Sequence, residues 1–430
     1  MITYIIFLNK KSDKPNFYIK TNCDELRIFL NIYELNNLEL FALMSKIKSA
    51  ISLYSDITDF QVFFEKDIKK NVANKIITEL SNLLYSYFPS IKPVQIFDAP
   101  EETSLLFNTL TKFKDIVMQP PPDKNNRTYL QYVLNNTPDG YRAQSYDVSN
   151  TNKETFPLCY NVNKACVDNG YFVHIYPKNN DYSKKTLFLI GKAVTFDTGG
   201  INLKTSFLDD MEIDMSGSAI ILWVLNLLIK TGNDKNINIH LLIPIVQNSI
   251  GSKAYLPGSV LKATNGKTIE ILNTDGEGRL TIVDAINFIN LNLINEFNKD
   301  NSIILDIATL TGNVSSITGN YAAVIMGNPL GRKYVDQLIA IGDDIGEYLQ
   351  YIQLRPEVLS NLKSNVANIA NIAPSLSSSC LVGGVFINYF CDNKIPWIHI
   401  DIGIIALKNK MQTSYGIYLL FEFIRKLQKN

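Results

Sequence analysis

From about residue 186 onward, short apolar runs rich in Ile, Leu and Val alternate with longer stretches of helical period, and this alternation is what most narrows the fold. The runs 186–190, 239–246, 303–307 and 397–402 read as strands, whereas 218–230, 279–293 and 334–351 repeat apolar residues at helical spacing. Strands interleaved with helices assemble into a mixed or parallel sheet flanked by helices, with functional residues gathered at strand ends and in the loops that follow. Upstream, 3–8 and 61–64 read as strands and 38–53 and 72–87 as helices, a small α/β unit of its own. A helical stretch at 104–117 runs into Pro120-Pro121-Pro122, where the missing N–H groups and fixed φ end any helix. At 430 residues the chain is long for one domain. The expected organisation is an α/β domain over 1–105, with an assembly or regulatory role, and a second α/β domain over 106–430 with a central mixed β-sheet.

Composition removes several function classes. Lys plus Arg equals Asp plus Glu at 41 each, and the basic residues are scattered, so nucleic-acid binding is not expected. The apolar start, Met1 to Leu8, has no basic segment before it and no small-residue cleavage site after it, and reads as a strand. The run 219–229 contains Asn226 and is shorter than the roughly 20 residues that span a bilayer. A cytoplasmic protein without membrane contact is expected. The five cysteines contain no Cys-x-x-Cys, which points to buried or incidental thiols.

Charge is concentrated among glycines in three segments beside apolar runs: GKAVTFDTGGINLK (191–204), MEIDMSGSA (211–219) and NTDGEGRL (273–280). Lys192, Asp197, Asp214, Asp275 and Glu277 are oxygen and nitrogen donors of the kind that hold magnesium, manganese or zinc. Asp275 and Glu277, two apart, would project to one side of an extended segment, with Gly276 leaving room for close approach. Taken singly, each could equally be a solvated turn or capping residue, Asp214 before Ser216-Gly217 above all. Lys192 resists that reading, because an ammonium at the end of an apolar strand must be paired or lose its proton.

Other motifs fail on their own requirements. Phe196-Asp197-Thr198-Gly199 resembles an aspartic-protease string, but no second copy exists to share the proton. Gly191-Lys192 lacks the remaining residues of a phosphate-binding loop. His174, His240 and His399 are far apart, which argues against a histidine-ligated zinc.

Together the segments resemble the leucine (cytosol) aminopeptidase family, whose members carry Gly-Lys-Gly-x-Thr-Phe-Asp-Ser-Gly-Gly and Asn-Thr-Asp-Ala-Glu-Gly-Arg-Leu. Further resemblance lies in Pro257-Gly258-Ser259-Val260, Ala308-Thr309-Leu310-Thr311-Gly312 and Trp397 to Ile402. The resemblance implies a two-metal aminopeptidase. Asp197 and Glu277 would be shared by two divalent ions, Lys192 and Asp214 would complete one site, and Asp275 the other. It implies zinc or manganese, with magnesium or cobalt as further options. Lys204 would polarise the scissile carbonyl, and Arg279 would hold a bicarbonate acting as general base. Met211, Thr309 and Gly312 would line the pocket for a first residue such as Leu, Met or Phe, and Asn273 and the Leu310 backbone would contact the peptide. A homohexamer is implied as well. A non-catalytic or DNA-binding relative and a Cys-Gly dipeptidase are the alternatives. The chain departs from the family pattern at Ala193, Gly276 and Ser216-Gly217-Ser218, and its stretch from Lys204 to Asp214 is one residue shorter than usual.

Overall fold

A computed structural model describes residues 2–8, 17–21, 25–31, 37–51, 59–64, 68–87, 94–294, 296–297, 299–403 and 405–429. Met1, Cys23 and the last two residues of the expected 38–53 helix lie outside them. The chain divides into two compact units. One comprises Met1–Lys112 with Asp344–Gly346 and Lys408–Ser414; the other comprises Phe113–Asp343, Glu347–Leu407 and Tyr415–Asn430. The first division falls inside the helix Glu101–Val117, after which Pro120 to Pro122 follow.

The first unit is built on a five-stranded sheet in the order Phe17–Thr21, Glu25–Asn31, Ile2–Leu8, Asp59–Phe64, Val94–Phe97. Only the first pair is antiparallel. Helices Asn37–Ile51 and Lys70–Tyr87 bury Leu43, Ile47 and Ile51, and Ile76, Ile77 and Leu80, at helical spacing.

The second unit holds a nine-stranded mixed sheet. Its order is Leu349–Tyr351, Ala323–Gly327, Trp397–Asp401, Ser302–Ala308, Lys185–Gly191, Ile237–Asn248, Tyr171–Pro177, Tyr141–Asp147, and Ala193–Asp197 also pairs with Ile237–Asn248. The four central strands, from Trp397–Asp401 to Ile237–Asn248, run parallel. Ser302–Ala308 is buried along its whole length, as a parallel strand covered on both faces must be. The carboxyl ends of the central strands therefore meet at one edge, where Gly191, Ala308 and Asp401 sit in neighbouring strands.

The structure extends or corrects three sequence expectations. The helix Ser216–Lys230 continues from a 3-10 turn at Leu208–Ile213, so that 208–230 is long and apolar enough to cross a membrane by length and composition. Yet 89% of its most apolar window is buried, with Ile417–Leu427 on one side and Lys185–Gly191 on another, which makes it a core helix. The helical stretch expected at 334–351 is a helix only to Ile345, because Gly346 takes φ +87° and Leu349–Tyr351 joins the sheet. The helix expected at 279–293 is α-helical over Gly278–Phe288 and ends in a π turn, Ile289–Leu293.

Candidate metal centre

Lys192 leaves the sheet between Lys185–Gly191 and Ala193–Asp197, at the edge where the parallel strands end. Two glycines make that position possible. A Cβ on Gly217 would lie 2.1 Å from the carbonyl oxygen of Ile307, so only glycine lets the start of helix Ser216–Lys230 press on the strand ends. A Cβ on Gly278 would lie 2.6 Å from Cε of Lys192, so the lysine stem runs where any other residue would put a side chain.

The Lys192 ammonium is buried between two carboxylates, 2.8 Å from Asp214 Oδ1 and 2.9 Å from Glu277 Oε1, and donates to the Thr309 carbonyl at 3.1 Å. Lys204 repeats the arrangement one step outward, 2.8 Å from Asp197 Oδ2 and in contact with Asp275. Asp197 closes strand Ala193–Asp197, and its Oδ1 accepts from Gly199 N and Asn248 Nδ2, each at 2.8 Å. Asp214 follows the 3-10 turn, and its Oδ1 accepts the Thr309 hydroxyl at 2.8 Å. Oxygens of Asp197, Asp214 and Glu277 all lie within 4.8 Å of one another.

Four carboxyl groups thus face two ammonium groups, leaving two negative charges uncompensated if all are ionised. Proton affinities register that surplus. Burial, reinforced by Glu277 and Asp197 and only partly offset by Lys192 and Lys204, pushes Asp214 up to about 8. Burial with Glu277 and Asp197 pushes Asp275 up to about 7 against the pull of Lys204. Burial also opposes charge on Asp197, but Lys204 and Lys192 outweigh it and hold that carboxyl below its ordinary range. For Lys192, burial favours the neutral amine, yet Asp214, Glu277 and Asp197 prevail and raise its pKa. Protons and ammonium groups here do what a divalent cation does better. The buried Oδ2 of Asp214 has no hydrogen-bond partner among the described residues, so a lone pair is left for a cation, and the donor set fits a divalent metal.

Arg279 is the second residue of helix Gly278–Phe288, just after Glu277; its Nη1 donates to the Asn371 carbonyl at 2.7 Å, and its buried Nε has no partner among the described residues. An unpaired buried guanidinium N–H suits a small oxyanion.

The segment 273–277 is not extended. Glu277 is already in helical conformation (φ −75°, ψ −38°), and Asp275 and Glu277 face different lysines, Lys204 and Lys192. The space beside Gly276 is taken by Asn371, whose Nδ2 would lie 2.9 Å from a Cβ there. The side-chain oxygen of Asn273 accepts from Asp275 N at 2.7 Å, which shapes the turn that carries the two acids. Met211 lies in the 3-10 turn, Gly312 is exposed, and the Leu310 side chain packs on the main core cluster.

Several contributors escaped the sequence reading. Asn248 bridges Asp197 and the Thr274 carbonyl, at 2.8 and 3.1 Å. Asn371 accepts from Leu272 N at 2.8 Å and donates to the Asn273 carbonyl at 2.6 Å. Each lies tens of residues from its partner, with no spacing to advertise it. The histidines are elsewhere: His174 and His240 pair with each other at 2.9 Å, and His399 contacts Asp306.

Fold and site define an α/β protein with a buried, lysine-compensated carboxylate centre at the carboxyl edge of a mixed sheet. The profile of the cytosol aminopeptidase family, catalytic domain, matches residues 112–421, and the chain belongs to that family. A probable cytosol aminopeptidase of Persephonella marina is 33% identical over 264 residues, 61% of this chain and 51% of that protein. A chloroplastic leucine aminopeptidase of Solanum tuberosum is 33% identical over 262 residues, 59% of this chain and 44% of the relative. The alignment thus spans about half the length of the curated relatives. The structure of Caenorhabditis elegans leucine aminopeptidase superposes with a TM-score of 0.85 at 20% identity, covering 99% of this chain and 96% of that one. A bottromycin maturation enzyme described in complex with Mn shares the fold, with a TM-score of 0.82 at 18% identity over 99% of both chains.

Proposed function

We propose that this chain is a metal-dependent leucyl aminopeptidase that releases N-terminal residues, preferably Leu, Met or Phe, from peptides. The observation that carries the proposal is the buried group of Asp197, Asp214 and Glu277 with the partly exposed Asp275 beside it, compensated by Lys192 and Lys204, in the segments that resemble the family's motifs.

Asp197 and Glu277 would hold two divalent ions between them, with Lys192 and Asp214 completing one set of donors and Asp275 the other. Zinc or manganese is the expected metal, with magnesium or cobalt as alternatives; the manganese-bound neighbour of the same fold supports manganese. Such ions, when bound, polarise a carbonyl and lower the pKa of water towards neutrality. The chain's own residues do the rest. The Lys204 ammonium, only partly buried, would turn towards the substrate carbonyl and meet the negative charge that develops on its oxygen. Arg279, whose Nε–H has no partner among the described residues, would hold a bicarbonate that takes the proton from the attacking water. Met211, Thr309 and Gly312 would border the first side chain, while Asn273 and the Leu310 backbone would align the peptide. We assign residues 106–430 to catalysis and 1–105 to assembly or regulation, in a cytoplasmic homohexamer.

The test is hydrolysis of a leucine amide reporter by metal-stripped protein with zinc, manganese, cobalt or magnesium restored, beside Asp275→Ala. Activity that returns with metal in the unmutated protein alone supports the reading. A panel of N-terminal reporters and dipeptides that yields no turnover with any metal overturns it; turnover of Cys-Gly alone narrows it to a dipeptidase.

A further inference from the structure

Asp401 closes the strand Trp397–Asp401, is fully buried, and meets no metal-binding candidate directly. Three of its four hydrogen bonds go to the neighbouring loop and the fourth to Gly403, two residues on. Oδ1 accepts from Leu310 N at 3.1 Å, Thr311 N at 3.3 Å and Gly403 N at 3.0 Å, and Oδ2 accepts the Thr311 hydroxyl at 2.6 Å. The loop it grips begins at Thr309, which touches the centre twice: its carbonyl accepts from Lys192 Nζ at 3.1 Å, and its hydroxyl donates to Asp214 Oδ1 at 2.8 Å. The opposite end of the loop is tied elsewhere, through Asn313 Nδ2 to the Ser377 carbonyl at 2.8 Å. A buried carboxylate with four donors is a stiff clamp, because releasing any one of them leaves an unpaired polar group inside the protein.

We infer that Asp401 is a positioning residue for the metal centre: by fixing the loop 309–312 it aims Thr309 at Lys192 and Asp214 together, and so sets the donor geometry for a divalent ion. The inference rests on the proposed metal-dependent function and adds a residue outside the carboxylate segments. The chain of contact is short, Asp401 to the Leu310 and Thr311 amides, then one residue back to Thr309, then to Asp214. Groups that orient metal ligands in this way are worth tenfold to a hundredfold in metal affinity.

The experiment titrates Mn2+ into metal-stripped full-length protein by calorimetry, comparing the unmutated chain with Asp401→Ala, Asp401→Asn and Thr309→Val, each checked by circular dichroism and thermal unfolding. Asp401→Ala is expected to bind Mn2+ at least tenfold more weakly, and Asp401→Asn, whose amide oxygen still accepts the backbone N–H groups, to recover most of that loss. Thr309→Val leaves the clamp intact and removes only the hydroxyl to Asp214, so the same direction of loss is expected even where Asp401→Ala does not fold. Parental affinity in Thr309→Val, or in a folded Asp401→Ala, overturns the inference while the metal-dependent reading stands. An unmutated protein that binds no Mn2+ sinks both.

Discussion

Replacing Lys192 by Met tests whether one ammonium is the counter-charge that keeps Asp214 and Glu277 buried. Met matches the lysine stem in volume, so the cavity contribution is small and the change is chiefly the loss of charge. The parent ammonium sits 2.8 Å from Asp214 and 2.9 Å from Glu277, with all three side chains at most 5% exposed. Breaking a buried ion pair by removing one partner costs about 3 to 5 kcal/mol. At roughly 2 to 4 °C per kcal/mol for domains of 150 to 250 residues, the melting temperature of chelator-treated Lys192→Met should fall by on the order of 10 °C. The loss should shrink as pH falls, because Asp214, whose carboxyl burial already pushes up to about 8, then takes up a proton in place of the ammonium. Divalent metal at a hundred times Kd should stabilise the parent by about 2.7 kcal/mol, and the variant less at the same concentration, because Lys192 is also one of the proposed metal donors. Thermal unfolding in chelator, then across a Mn2+ series, reads both effects. A variant that melts within a degree or two of the parent in chelator would refute the reasoning, for then the carboxyls do not depend on Lys192.

Three further outcomes are expected. Gly217→Ala puts a methyl group 2.1 Å from the Ile307 carbonyl oxygen and must push helix Ser216–Lys230 off the strand ends, so stability should drop by about 1 to 3 kcal/mol and metal affinity with it; a parental melting curve contradicts the close approach. Asp284 is fully buried, accepts Leu158 N and Cys159 N at 2.9 and 2.7 Å, and is raised by burial from 3.8 to about 7. A raised carboxyl favours the fold fully below pH 3.8 and loses that advantage as pH climbs through about 7, so the stability of Asp284→Asn relative to the parent should improve by about 4 kcal/mol between pH 4 and pH 8, and parallel denaturation profiles would exclude this. Glu347 Oε2 accepts Gly416 N and Leu419 N at 3.1 and 3.0 Å, at the start of helix Ile417–Leu427, so Glu347→Ala should cost about 1 to 2 kcal/mol in chemical denaturation and Glu347→Gln less.

The buried location of the carboxylate surplus explains why this centre calls for cations. A surface cluster of four acids would shed its repulsion into water and salt. Here Asp214 and Glu277 are almost wholly enclosed, so the surplus can be met only by protons, lysines or metal. The two lysines alone leave Asp214 and Asp275 with proton affinities near neutrality. Carboxyls whose proton affinity burial and like charge have raised are ones that a bound cation would ionise.

The sequence by itself marked out the acids and lysines that the structure gathers at one centre, and which strands form the core. Apolar runs that become buried strands differ in period from the amphipathic helices, and acids and lysines among glycines beside those runs can be recognised one segment at a time, because period and composition are local properties. The tertiary structure alone decided how they meet. Asp275 and Glu277, two apart in sequence, face different lysines because Glu277 already takes helical backbone angles at the start of helix Gly278–Phe288. The stretch beyond Ile345 became a strand because Gly346 could turn and the sheet offered an edge at Ala323–Gly327. Asn248, Asn371 and Asp401 serve the centre through bonds to groups 26 to 99 residues away. No periodicity encodes such pairings: they follow from parallel strands that end together, and that alignment exists only once the sheet has formed.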